Sequence, residues 1–286
     1  MYNEPMSMRI GSRGIARALN TLSSAGPMTN SAIAAGAVTR LRRAARWSEP
    51  YVESLSGLPE AAKIAASPVL VLDRHSFALH TACTLDEIAP IYELRELRDR
   101  AITIRALSRR ATGLWDPRVK ARVLIAPNVL AAAHAHSLDQ SDWCKWVALR
   151  VGLEGLIVHK APNLVDPTLE NTDFLARLLL VDALLDALML RLTPADLSSV
   201  LWIRNFGPKS SIRTLVSALL LDSSVPQTEL FRAYEDYRRI SQEIVSSNSL
   251  GPALDALSRN EDPFPYFARK GPEATTAPTP TSPRVC

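Results

Sequence analysis

Asp142–Val158 reads Asp-Trp-Cys-Lys-Trp-Val-Ala-Leu-Arg-Val-Gly-Leu-Glu-Gly-Leu-Ile-Val, an apolar, tryptophan-rich helical stretch in the middle of the chain. Asp139 or Ser141 is placed to cap it. Arg150 and Glu154 lie four residues apart inside it and therefore share one helix face. Gly152 and Gly155 should each cost roughly 1 kcal/mol in a helix interior. Their presence predicts that another element packs closely against this helix.

Downstream the pattern is nearly all helix. Thr172–Leu192 is the most hydrophobic segment, Gly207-Pro208 breaks the next, and Ser211–Leu221 is amphipathic. Ser224 is a plausible N-cap for Pro226–Ser246, and Pro252–Arg259 forms a last helix. Upstream, Pro68–Asp73 is a short apolar run bounded by turn residues, which predicts a buried strand. Val119–Ile125 alternates apolar and basic residues, which predicts a strand with one wet face ended by Ala126-Pro127-Asn128. Helical patterns occupy Ser76–Tyr92, Glu93–Arg110, Val129–His136 and Asn30–Arg46. Pro50 is expected to start a connection, followed by a helical turn or two before the Gly57-Leu58-Pro59 turn. No internal repeat is evident.

Residues 1–46 hold Arg9, Arg13, Arg17, Arg40, Arg42, Arg43 and Arg46 against a single acid, Glu4, so a basic arm accounts for more than the net +4 of the 286-residue chain. Arg9, Arg13 and Arg17 form a one-sided stripe. Such a stripe reads either as a solvated face or as a contact for nucleic acid or an acidic membrane surface. No aromatic residues interleave with it, which weighs against base stacking. Three cysteines with no Cys-x-x-Cys spacing argue against a disulfide framework or a cysteine zinc site, and fit a reducing cytoplasm. No secretory leader is expected, and the greasy run Leu178–Leu190 is interrupted by Asp182 and Asp186 and too short to span a bilayer. Residues 270–286, rich in Pro, Thr and Ser, are expected to stay disordered.

Chemistry-bearing clusters are few. His134 and His136, two apart, point away from each other on a helix and suit one metal only on a strand. Asp182 and Asp186 sit four apart in an otherwise apolar helix. They read first as a pair exposed or bonded to arginine, and second as a metal or acid/base site. There is no glycine-rich phosphate loop, no Gly-x-Ser-x-Gly elbow and no His-Glu-x-x-His.

Several blocks, in order, resemble an actinobacterial family of zincin-like zinc metalloproteases or hydrolases often labelled coenzyme F-420 biosynthesis-associated. They are Ala25-Gly26-Pro27, Thr39–Arg42, Val52–Leu58, Val69–Arg74, Val123–Leu130 and Asp142–Leu149, with looser likeness from Ser211 to Ser246. In that family Trp-Val-Ala-Leu leads into His-Glu-x-x-His, where two histidines bind zinc and the glutamate polarises its water. Here those positions read Arg150, Val151, Gly152, Leu153, Glu154, so both ligands and the general base are absent. A further family ligand block falls near Asp186-Ala187-Leu188. Arg150 and Glu154 are expected to pair across one turn and fill the former zinc cleft.

The reading is an α+β, predominantly α-helical fold: a zincin-like metallopeptidase-type domain with a small sheet. Residues 1–48 would be the basic helical arm, 49–268 the domain and 269–286 the tail. No catalytic residue, bound metal or cofactor is assigned; Arg150, Val151, Glu154 and Asp186 mark the former site. The leading function is a family homologue that has lost zinc and catalysis and serves a binding, scaffold or regulatory role for a protein partner. One alternative is a hydrolase using a displaced site, Glu154 with Asp182, Asp186 or the His134/His136 pair. The other is nucleic-acid or membrane-surface binding through the arginine arm.

Overall fold

A computed structural model describes residues 11–22, 30–88, 91, 96–166, 171–219 and 227–260. Arg9, Ser224 and the 270–286 tail lie outside them. The fold is mostly helical with a small sheet. In chain order come α1 (Arg13–Leu22), α2 (Ser31–Ser56), α3 (Ala61–Ala65), β1 (Val69–Leu72), α4 (Arg74–Ile88), α5 (Glu96–Arg110), β2 (Gly113–Asp116), β3 (Ala121–Ile125) and α6 (Ala126–Ala135). Then follow α7 (Gln140–Lys160), a 3-10 turn (Pro162–Val165), α8 (Asn171–Met189), α9 (Val200–Phe206), α10 (Ser211–Leu219), α11 (Gln227–Ser246) and α12 (Leu250–Ser258).

The sheet has the order β1-β3-β2. β1 and β3 run parallel, with Leu70 opposite Val123, while β2 is antiparallel, with Trp115 opposite Arg122. The two strands read from the sequence are thus neighbours. β2 had no sequence signal, because Gly-Leu-Trp-Asp is too short to show alternation. β3 is the central strand and is buried throughout, so the expected wet face is absent. Arg122 turns inward at 2% exposure and donates to the carbonyls of Ala45, Ala65 and Ser67 at 3.4, 3.0 and 3.1 Å, with Glu49 at 3.3 Å. A guanidinium with several carbonyl acceptors is a tolerable core residue, which strand alternation cannot reveal.

α2 also departs from expectation. Pro50 lies inside a continuous 26-residue helix rather than ending it. Pro50 and Arg46 are both exposed, so the carbonyl stranded by the missing N–H faces solvent. The helix ends at Gly57, whose φ of 67° is the left-handed cap that glycine adopts without strain. The expected arm boundary at residue 48 falls inside α2. Leu41, Ala44 and Ala45 before it enter the same core as Val52 and Leu55 after it.

α7 is apolar nearly all round and is the central helix, packed between α2, α8 and the sheet. Asp139 caps it by accepting from the Asp142 N–H at 2.8 Å, and His159 and Lys160 suit its C-terminal end. The glycines have their predicted neighbours. A Cβ on Gly152 would lie 2.8 Å from Val52 of α2, and one on Gly155 would lie 2.5 Å from the Trp115 ring of β2. Their absent side chains set the distance between α7 and both partners. At the other end, buried Asp142 accepts from Ser198 Oγ at 2.8 Å and the Ser199 N–H at 2.9 Å, which pins the approach to α9 onto α7.

Candidate functional site

Arg150 and Glu154 both face the cleft beside α7, but they do not form the expected pair. Arg150 reaches across to α8, where its Nη1 donates to Asp186 Oδ1 at 2.7 Å and its Nη2 donates to Asp182 Oδ1. From the opposite side Arg213 of α10 donates through Nε to Asp182 Oδ2 at 2.6 Å and through Nη2 to Asp186 Oδ2. The reason is charge. Asp182 and Asp186 are i, i+4 neighbours whose like charges repel, and Asp182 is 0% exposed. Two carboxylates facing two guanidinia form a neutral quartet, whereas an Arg150–Glu154 pair would strand them. Glu154 remains beside the free edge of β2, facing the backbone of Trp115.

Neutral donors complete the network. Ser210 Oγ, which also caps the Arg213 N–H at 3.1 Å, donates to Asp182 Oδ1 at 2.6 Å. Tyr234 of α11 lies 3.0 Å from Asp182 Oδ2 and 3.0 Å from Asp186 Oδ2, with the Arg213 guanidinium 5.0 Å from its ring centre. Three helices, α7, α10 and α11, therefore converge on the two carboxylates of α8.

The titration behaviour follows. Burial alone would raise the Asp182 carboxyl, but Arg150, Arg213 and the Ser210 hydroxyl outweigh it and hold it below the usual carboxylate value. Burial lowers and the two aspartates raise Arg150, with a net rise that fixes its charge. Tyr234 is pushed up by burial and by both aspartates, so its hydroxyl stays protonated. Glu154 moves the other way. Its burial, only partly countered by the Trp115 backbone and Arg150, pushes the carboxyl up to about 8, so it is mostly neutral at pH 7.

These side chains form one wall of a cleft of about 460 Å³ between α7, α8, α10 and the start of β2. Glu154, Arg150 and Asp186 line it, as does Val151, which is buried and sits 2.8 Å from where a Cβ of Gly113 would be. Asp182 lies behind this wall. His134 and His136 are elsewhere: His134 is exposed on the last turn of α6, and the His136 carbonyl accepts from Trp202 Nε1 at 3.3 Å. The displaced-site grouping thus keeps Glu154, Asp182 and Asp186 and loses both histidines. Arg213, Ser210 and Tyr234 were not singled out from the sequence. The signal that could have found them is the pair of carboxylates in an apolar helix, which demands cations from another element.

The zinc implied by the resemblance does not fit the residues present. Guanidinium groups do not ligate metals, and Arg150 already bridges both aspartates. Among the described residues no group of three or more His, Cys, Asp or Glu is arranged to hold a metal ion.

The basic residues fall on two helices. Arg13, whose Nε is 3.2 Å from Cys83 Sγ, and Arg17 are exposed on α1; Arg42, Arg43 and Arg46 are exposed on α2, while Arg40 donates to Gln140 Oε1 at 2.6 Å. No described helix is long and apolar enough to cross a membrane.

No family model and no curated protein matches the chain. Among solved structures it is similar to a protein from Chloroflexus aurantiacus, provisionally described as a hydrolase with a novel fold. The two share 16% identity and a TM-score of 0.53, covering 91% of this chain and 98% of that one. At that identity the likeness establishes a shared fold.

Proposed function

We propose that this protein is a hydrolase-like fold without hydrolase chemistry, in which a neutral ion-pair quartet replaces a metal centre and the cleft serves binding. The observation that carries the reading is Arg150 lodged between Asp182 and Asp186. In the zincin-like family that the sequence resembles, the position of Arg150 is a zinc-binding histidine and that of Glu154 a second one. A guanidinium supplies the positive charge that a metal would supply, but offers no open coordination site to polarise a carbonyl or water. The role is then that of a binding or scaffold protein. Purified protein incubated with zinc and desalted should retain far less than one equivalent by elemental analysis. It should hydrolyse neither casein nor a panel of peptides and esters. Stoichiometric zinc, or turnover of any of these substrates by the parent protein, would overturn the reading.

One observation favours a second reading, a metal-free hydrolase. Glu154 is a carboxyl in a cleft with a pKa raised to about 8, suited to proton donation near neutral pH. Hydrolysis lost in Glu154→Gln would establish it. The arginine arm as a nucleic-acid or membrane contact is tested by charge reversal at Arg42, Arg43 and Arg46 rather than by deletion, because truncating residues 1–46 would remove core residues Leu41, Ala44 and Ala45.

A further inference from the structure

Once Arg150 and Arg213 are matched by Asp182 and Asp186, the cleft still holds cations that no carboxylate inside it answers. Arg204 of α9 spends its Nη2 on the carbonyls of Met189 and Leu192, both at 2.7 Å, which end α8 and its following turn. Its Nε is buried without an acceptor. Those partners are neutral, and burial lowers the Arg204 pKa with no carboxylate opposing it. Lys209, in the link between α9 and α10, lines the cleft, is exposed and has no carboxylate partner among the described residues. Arg238 of α11 reaches the cleft and makes an exposed i, i+3 contact with Glu235 at 3.2 Å, a pair of the kind that contributes little. The remaining acid of the lining is Glu154, which is mostly neutral at pH 7. The cleft therefore carries a surplus of positive charge.

Its other walls are apolar. Trp143, Trp146 and Val147 of α7 and Ile203 of α9 face the same space. A volume near 460 Å³ lies within the usual range for small-molecule sites, about 300–1,000 Å³. The volume, the apolar wall and the unmatched cations together define a ligand with a charged head and an apolar body. We propose that this cleft binds a small organic carboxylate, its head at Lys209, Arg238 and Arg204 and its apolar chain or ring against Trp146 and Ile203. The inference deepens the binding role proposed above and rests on it.

The test is calorimetric titration of the full chain with octanoate and with octanamide, which has the same chain and no charge. Octanoate should bind saturably, and at least tenfold more tightly than octanamide. A Lys209→Gln/Arg238→Gln variant should lose at least tenfold in octanoate affinity with its circular dichroism and melting temperature unchanged. An Arg43→Gln/Arg46→Gln variant, altering cations outside the cleft, should bind as the parent does. Equal binding of the two probes, no saturable octanoate binding at millimolar concentration, or an equal loss in both variants would overturn the assignment. Zinc retention or turnover would instead overturn the non-catalytic reading, and leaves the octanoate comparison to stand or fall separately.

Discussion

Arg150 on α7 and Asp182 on α8 form a hydrogen-bonded ion pair in which the carboxylate is wholly buried, and a second guanidinium, Arg213, holds the same carboxylate from the other side. Buried pairs of this kind add little net stability over apolar packing, yet breaking one is severe because a buried charge is left unmatched.

Arg150→Ala should therefore destabilise the protein by about 3–5 kcal/mol, read as a shift of the urea midpoint at unchanged slope. Glu154→Gln should not, since Glu154 does not pair with Arg150. Equal losses in the two variants would restore the intrahelical pair as the stabilising contact.

Glu154 makes stability depend on pH. Its folded pKa of about 8 stands above the ordinary 4.5, so between those values the unfolded chain has released a proton that the folded protein keeps. The contribution is most favourable below pH 4.5, weakens as pH rises, and levels off above 8, a change on the order of a few kcal/mol. Asp182 acts in the opposite sense: its depressed pKa gives stability present above 3.8 and lost as pH falls through the folded value. Urea titrations from pH 5 to 8 should show the parent losing stability and Glu154→Gln losing clearly less.

Two glycine-to-alanine substitutions should have opposite signs. At Gly155 the new methyl would meet the Trp115 ring at 2.5 Å, and overpacking of about 1–3 kcal/mol should exceed the helix-propensity gain. At Gly36, exposed in α2 with nothing within 4 Å, the same change should stabilise by about 0.5–1 kcal/mol. Thermal melts of the two variants decide it.

Arg122→Leu should destabilise by at least about 2 kcal/mol, since it strands the carbonyls of Ala65 and Ser67 and the Glu49 carboxylate in or beside the core. Were Arg122 on a wet face, the change would be near neutral.

Periodicity, caps and glycines carried much of the fold. The Asp139 cap, the close approach at Gly152 and Gly155, and the strands at β1 and β3 were all legible locally. What was not legible depended on partners distant in the chain. Pro50 signals a break unless its stranded carbonyl faces solvent. The Arg in β3 signals a wet face unless carbonyls from α2 and α3 surround it. At the site, spacing exposed three members of the quartet, Arg150 on one helix and Asp182 and Asp186 on another. Helix spacing proposes partners only within a helix, so the pairing across α7 and α8, and the arrival of Arg213 and Tyr234, came from the packing.

The quartet also ties the fates of its four members together. Replacing Arg150 with an uncharged side chain removes one of the two cations answering Asp182 and Asp186. Changing either aspartate instead leaves guanidinium groups without acceptors. The four positions thus form one unit of substitution, in which a change at one is tolerated only with a compensating change at another.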